Sequence, residues 1–341
     1  MTSAPLSLDR ARPTPPPRPL QRPTADTPIS PAFQTQPKST PPTLRALRKA
    51  FQNQQNISEM LRHQQNRIEN DAEIIEIAYD VQAGSYVSLQ ATPERQRFQA
   101  AYAGALVSVI DALGPCRSLF EGGVGEATTL APVLKSWGGE LPTTAGIDLC
   151  WSRIRWAKRW LHQNGAASVF LASAALDRLP FPDNAFDIVY TSHSLEPNRG
   201  REQLLIRELH RIAARYVVLL EPSYELATAE GRQRMDRHGY VRDIPGHAKR
   251  LGLRVIEHSR FPFTHRESNP TAITVIEKDR RAMATDSRPV CPACHSQLQP
   301  TDGFLFCAEG CGRAYPVLHG IPCLRVEKGI IASQLFDFPV A

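Results

Sequence analysis

Long apolar runs are missing from this chain. No stretch approaches the ~20 residues that a membrane-spanning helix needs, and the longest, such as Tyr216 to Leu220, have the length of a strand. No apolar core follows the first basic residues, as a secretory signal would require. These absences lead us to expect a cytoplasmic protein with no membrane partner. Concentrated charge is missing too. The net charge is +6 over 341 residues. It divides into five basic against two acidic residues in 1–43, 31 against 27 in 44–285, and four against five in 286–341. A nucleic-acid binder gathers its basic residues into a patch, so this spread argues weakly for RNA or DNA. Paired cysteines are absent from the body of the chain. Cys116, Cys150 and Cys323 are scattered, which suits burial in a reducing compartment, and the other four cluster near the C-terminus.

What is present divides the chain. Residues 1–43 hold twelve of the 29 prolines, each lacking a backbone donor and blocking helix. With few apolar residues to offset chain entropy, a disordered tail is expected there. It serves as a tether, or, through Pro13-Thr14-Pro15-Pro16, as a docking segment for a protein partner that reads polyproline. From Thr43, a suitable helix cap, the apolar residues Leu44, Leu47, Phe51, Ile57, Leu61 and Ile68 have helical spacing. One or two helices are expected over 44–80, with another opening at Pro93-Glu94 and running to Ile110, so 44–98 reads as a helical cap. Strand and helix patterns then alternate. Strands are expected at 117–121, 143–148, 168–171, 186–191, 216–221, 253–258 and 271–277. Helices are expected at 126–137, 151–163, 200–213 and 243–250. Such alternation implies a parallel sheet covered on both faces. The last two strands, with no helix between them, should pair antiparallel. The main domain is placed at 99–280, a linker at 281–289 and a small unit at 290–341.

The most informative run is Leu119-Phe120-Glu121-Gly122-Gly123-Val124-Gly125-Glu126. It reads as a buried strand, an acid, then a turn whose glycines let backbone approach a ligand. Asp148 closes the next strand, Ala145-Gly146-Ile147-Asp148, where a carboxylate can accept from both ribose hydroxyls. The third glycine of a dinucleotide fingerprint is absent. Glu121 and Glu126 would also repel a pyrophosphate at the helix N-terminus. A cationic sulfonium or ammonium would be welcome instead.

Glu121-x-Gly123-x-Gly125 resembles the first motif of class I S-adenosylmethionine-dependent methyltransferases. Leu179-Pro180-Phe181-Pro182-Asp183-Asn184-Ala185-Phe186-Asp187 is similar to the segment before their fourth strand. The resemblance covers about 100–280. It implies an α/β fold with a Rossmann-like, doubly wound, mostly parallel seven-stranded sheet. It places Glu121, Gly122, Gly123 and Gly125 at the methionine part of S-adenosyl-L-methionine, Asp148 and Leu149 at the ribose, and Ser173 and Ala174 beside the adenine. Many members carry Asp where Ser173 stands; a serine accepts without charge. Phe181 and Phe186 are expected in the core, and Asp187 as a loop brace.

The acceptor pocket should lie beyond the C-terminal strand ends. The fourth strand runs into His193 and Glu196, which we take as the candidate catalytic pair. Histidine titrates near neutrality, although a loop-bracing His193 is an equal reading. Glu221-Pro222-Ser223-Tyr224-Glu225 could line the same pocket. Tyr79, Asp80, Tyr86 and the intervening glycine could cover the cofactor, by the family's general shape. No Asn-Pro-Pro-Tyr motif and no strand-tip cysteine is present, which points mildly to an oxygen or small nitrogen acceptor. The helix around Trp151, Trp156 and Trp160 interleaves basic residues with tryptophan and would suit RNA. The alternative, which we favour, packs the tryptophans on the sheet and leaves the arginines solvated.

Cys291-x-x-Cys294 and Cys307-x-x-x-Cys311, twelve residues apart, have the spacing of two chelating knuckles around Zn²⁺. A unit this small needs such a staple. A fully cysteine-ligated site is closed and therefore structural. With Tyr315-Pro316-Val317-x-x-Gly320-Ile321-Pro322 it resembles the small zinc-ribbon activator of tRNA, rRNA and release-factor methyltransferases, which implies that the ribbon docks on the main domain. The expected function is methyl transfer to a small or carbohydrate-like acceptor. The alternatives are an RNA methyltransferase and a non-catalytic, cofactor-binding scaffold.

Overall fold

In the computed structural model, residues 42–278, 284 and 286–337 are described. Most of the proline-rich tail and part of the linker lie outside them. Four helices open the described chain: α1 (Leu44–Gln52), α2 (Ile57–Gln65), α3 (Ala72–Asp80) and α4 (Ser85–Leu89). Thr43, Asn56 and Asp71 cap the first three, each accepting a backbone N–H of the first turn. Leu47, Ile57, Leu61, Ile74 and Ala78 give these helices a small core of their own. The one or two helices expected over 44–80 are three, because polar capping residues restart the helix after each short run.

The long helix α5 (Pro93–Ala112) leads into the sheet. Its strands and helices are β1 (Ser118–Gly122), α6 (Leu130–Lys135), β2 (Thr143–Asp148), α7 (Trp151–Gln163), β3 (Phe170–Ser173), β4 (Phe186–Ser192), α8 (Glu202–Ile212), β5 (Ala213–Pro222), α9 (Ala229–His238), α10 (Ile244–Arg250), β6 (Arg254–Arg260) and β7 (Thr271–Glu277). The strand order is β3-β2-β1-β4-β5-β7-β6. The first five are mutually parallel, and β7 lies antiparallel between β5 and β6. Alternate residues face opposite layers. Leu119, Ile188, Tyr190 and Val218 meet α5, α6 and α7, whereas Phe120, Val189, Val217 and Leu219 meet α8 and α10. With both faces covered, β1 is buried at every position. Phe181 and Phe186 pack edge-on against and beside Phe120. Asp187 accepts the N–H groups of Arg117 and Ser118, bracing the start of β1.

Two elements differ from expectation. The helix after the glycine turn begins only at Leu130, because Ala127 takes a left-handed conformation (φ +57°) and Glu126 is bonded elsewhere. Helix α9 had no apolar face to announce it, since Met235 and Gly231 are its only buried residues.

Beyond the linker lie β8 (Gln299–Pro300), β9 (Phe304–Phe306), β10 (Arg313–Leu318), β11 (Ile321–Pro322) and β12 (Ile330–Ile331). This unit joins the edge of the main sheet. Ser173 and Cys323 form a parallel bridge, and Leu324 donates its N–H to the Ser173 carbonyl at 2.7 Å. Val290 donates to Pro180 at 2.9 Å. Cys291, Cys307, Tyr315 and Leu324 belong to the same buried cluster as Phe120 and Val189.

Candidate functional site

Because β7 runs antiparallel between two strands that share a direction, the C-terminal ends of β1, β2, β4, β5 and β6 all meet at one edge of the sheet. The cleft at that edge has two chambers. The first lies between Asp148, Leu149, Ala174 and Leu176 on the sheet side and Ile75 and Tyr79 of α3 above. The second is bordered by Glu121, Gly125, Gln99, Tyr86, Glu196 and His265. Gly123, Tyr79, Arg153 and His193 line both, so the chambers adjoin.

The turn between them needs its glycines. Gly123 has φ +71°, and a Cβ there would stand 2.2 Å from the Ser194 Cβ. Gly125 has φ +55° and donates its N–H to Asp148 Oδ2 at 3.0 Å. Asp148 Oδ1 accepts from Cys150 N–H at 2.8 Å. Each carboxylate oxygen keeps a further lone pair for a ribose hydroxyl. Burial raises the Asp148 pKa, opposed by Arg153 and by the two N–H donors.

Glu121 is buried and accepts the Tyr190 hydroxyl at 2.9 Å. Burial pushes it up to about 8; the Tyr190 bond opposes this and the Asp148 charge adds to it. Without a cation beside it, Glu121 is therefore mostly protonated at neutral pH. Glu126 has another task. Its oxygens accept Gly84 N–H at 2.9 Å and Val87 N–H at 2.8 Å, and Arg153 Nε lies 3.7 Å away. It clamps the cap onto the turn and does not face a ligand as a free charge, which corrects the reading of two acids ringing the bend.

His193 has φ +55°, a strained conformation for a non-glycine residue. Its Nδ1 lies 3.2 Å from Glu196 Oε2 and its Nε2 lies 3.0 Å from Thr271 Oγ1. Glu196 lines the second chamber with it.

Of the residues singled out from the sequence, Gly123, Asp148, Leu149, Ala174 and His193 line the first chamber, and Glu121, Gly123, Gly125, His193 and Glu196 the second. Two do not fit the expectation. Gly122 lines neither chamber; it is packed under Leu176 and Leu209, and its carbonyl accepts the Ser194 hydroxyl at 2.7 Å. Ser173 turns away from the cleft and donates to the Leu149 carbonyl at 3.1 Å, so Ala174 carries that wall. Asp80 lies outside both chambers, near Arg48. The strip from the end of β5, 221–225, lines neither chamber. Glu221 accepts Ser194 N–H at 3.1 Å, burial pushes it up to about 7, and it stabilises the loop from behind.

Other residues were missed. Arg153, expected on a solvated helix face, is buried over the rings of Tyr79 (5.1 Å) and Tyr86 (4.2 Å). Gln99, Arg234, Tyr240, His265 and Asn269 all line the second chamber. One signal could have found the last two. An antiparallel β7 puts the polar loop 261–270 at the ligand edge.

The four cysteine sulfurs Cys291, Cys294, Cys307 and Cys311 lie within 4.8 Å of one another. Cys291 and Cys311 are 3.6 Å apart and Cys294 and Cys307 3.4 Å apart. A tetrahedron of sulfurs about 2.3 Å from a metal has edges of about 3.8 Å. The cluster is compatible with metal binding. Gly310 lets the knuckle close, since a Cβ there would stand 2.6 Å from Cys307 Sγ.

Residues 121–220 match the family described as a methyltransferase domain. No curated protein matches the chain. Among solved structures, a magnesium protoporphyrin IX methyltransferase from Synechocystis PCC 6803 aligns with a TM-score of 0.48 at 13% identity, covering 62% of this chain and all of the other (100%). A SAM-dependent methyltransferase from Aquifex aeolicus aligns at 0.41 and 16% identity, covering 57% and 97%. Geranyl diphosphate C-methyltransferase from Streptomyces coelicolor A3(2) aligns at 0.43 and 12% identity, covering 55% and 80%. Likeness at this level carries no inference about the acceptor. The chain carries an S-adenosylmethionine-dependent methyltransferase domain and is an enzyme of methyl transfer.

Proposed function

We propose that the protein transfers a methyl group from S-adenosylmethionine to a small, polar acceptor bound in the second chamber. The observation that carries this is the adjacency of the two chambers, which share Gly123 and His193. The strand-tip carboxylate of Asp148 faces one chamber, Glu121 and the His193–Glu196 pair face the other, and Gly123 stands between them. In this reading Asp148 accepts from the ribose, and Leu149 and Ala174 flank the adenine. Glu121 faces the cationic end of the cofactor. Arg95 and Gln99, on α5, stand where the amino-acid carboxylate would arrive.

Bound S-adenosylmethionine supplies an electrophilic methyl carbon whose bond to sulfur breaks as the acceptor atom attacks in line. The protein's part is alignment and proton removal. Both His193 nitrogens are engaged, so Glu196 is the group free to take the acceptor's proton, while His193 fixes its orientation. Replacing Glu196 with Gln should lower kcat about a hundredfold or more and leave adenosylhomocysteine affinity unchanged. An unchanged kcat would remove the proton role. The cysteine cluster we assign to a structural zinc ion, closed to substrate.

The decisive experiment is incubation with radiolabelled cofactor and fractionated cell extract. Label should enter small molecules. Label recovered in RNA or protein would overturn the assignment.

A further inference from the structure

The acceptor side of the second chamber is lined by polar groups that the protein itself leaves without partners. Arg234, on α9, and Arg266, in the loop between β6 and β7, line this chamber and the adjoining one, but not the nucleoside chamber. The Arg234 guanidinium leans on Tyr240, 5.6 Å from the ring centroid, and its Nη1 is buried with no hydrogen-bond partner. Neither arginine meets a carboxylate within ion-pair distance among the described residues. Beside them Asn269 is 6% exposed, and its Oδ1 is buried and unpartnered. The Nδ1 of His265 is unpartnered too.

Buried polar atoms without partners are costly, and native proteins pair nearly all of them. Several around one open chamber mark groups that a ligand completes. The scaffold holding them is fixed. Arg62 donates to the Arg237 carbonyl at the end of α9, and Asn70 donates to the carbonyls of Pro197 and His238. The partners this set lacks have a definite chemistry. Guanidinium groups take oxyanions, and an amide oxygen takes an O–H or N–H donor. Arg234, Arg266 and Asn269 do not line the chamber of Asp148, so the nucleoside of the cofactor does not supply these partners.

We propose that the methyl acceptor is a small organic oxyanion. Its carboxylate or phosphate is anchored by Arg234 and Arg266, and a neighbouring hydroxyl or amino group donates to Asn269. The proposal deepens the methyltransferase reading and rests on it. Burial, with the charges of His193 and Arg95, pushes His265 down to about 2. That ring is therefore neutral and offers a hydrogen bond without competing for the anion.

The test is calorimetry on the full chain saturated with adenosylhomocysteine, so that the cofactor's own carboxylate site is filled. The probes are malonate, inorganic phosphate, glucose and a short uridine oligonucleotide. Malonate or phosphate should bind more tightly than glucose, and the tighter of the two identifies the anionic group. Arg234→Gln and Arg266→Gln should each weaken that binding roughly tenfold to a hundredfold, with adenosylhomocysteine affinity unchanged. Arg266 is exposed, so its variant folds even if the other does not. Oxyanions no tighter than glucose, variants without effect, or tightest binding by the oligonucleotide would each overturn the proposal. If adenosylhomocysteine itself gives no heat, the methyltransferase reading fails. The same oxyanion titration, run without it, then still decides whether the arginines form an anion site.

Discussion

Glu121 shows how a ligand site is purchased with stability. Its pKa rises from an ordinary 4.5 to about 8, chiefly through burial. Between those two values the native state holds a proton that the unfolded chain has released. Stability therefore falls as pH rises from about 4.5 to about 8 and levels off above that. Glu121→Gln keeps the bond from Tyr190 and removes the titration. The ligand-free variant should be more stable than the parent at pH 8 by a few kcal/mol and nearly equal to it at pH 4.5. Thermal unfolding at the two pH values measures this. The same change should weaken S-adenosylmethionine binding at least tenfold, because the cation loses its counter-charge. A variant that is destabilised at pH 8, or that binds normally, would contradict both halves. At this scale much of the site was legible. Asp148 and Gly123 stand in the cleft, since a strand tip and a glycine turn have few other uses. The charge of Glu121 was not legible, because burial decides it and burial belongs to the folded state. Ser173 was misplaced for a related reason. A hydroxyl can satisfy itself on a local carbonyl, and the sequence does not say which.

At the scale of elements, the cap and the glycine turn form one device. Gly84 immediately precedes helix α4, and the N–H groups of Gly84 and Val87 both end on Glu126. The same carboxylate faces Arg153, which carries Tyr79 and Tyr86 on its surface. The roof of the cleft is therefore tied to its floor through one buried acid. Glu126→Gln can accept only one of the two N–H groups and presents its own NH₂ to the other, at a cost of about 1–3 kcal/mol. Hydrogen exchange over residues 84–89 should accelerate, and adenosylhomocysteine affinity should fall about tenfold. Unchanged exchange in that segment would show that α4 is held by packing alone. The regular elements of the main sheet were readable because most of its strands are apolar runs, with β6 at the exposed edge the polar exception. The cap and α9 were less so. Their helices are short and polar, and they gain order from capping side chains and tertiary contacts, as α9 does from Arg62 and Asn70. Periodicity reports neither.

At the scale of the whole molecule, the cysteine unit is continuous with the sheet. Its chain returns beside β3, Leu324 bonds to Ser173, and Lys158 of α7 donates to the carbonyls of His319 and Gly320. Arg325, 5% exposed, pairs with Glu76 of α3, and Glu76 lines the nucleoside chamber. The ribbon therefore touches the wall and the roof of that chamber within three consecutive residues. The zinc ion proposed for the cysteine cluster would supply much of the folding free energy of a unit this small, so a chelator that removes it from the full chain should loosen both contacts. Chelation is expected to lower Tm, accelerate hydrogen exchange at 171–174 and raise the dissociation constant of adenosylhomocysteine, with readdition of zinc restoring all three. Arg325→Gln, with the metal retained, should reproduce the loss of affinity but not the accelerated exchange at β3, because Leu324 still bonds to Ser173. If chelation melts the ribbon while β3 exchange and cofactor affinity stay unchanged, the unit is an appended module and the docking has no bearing on the site.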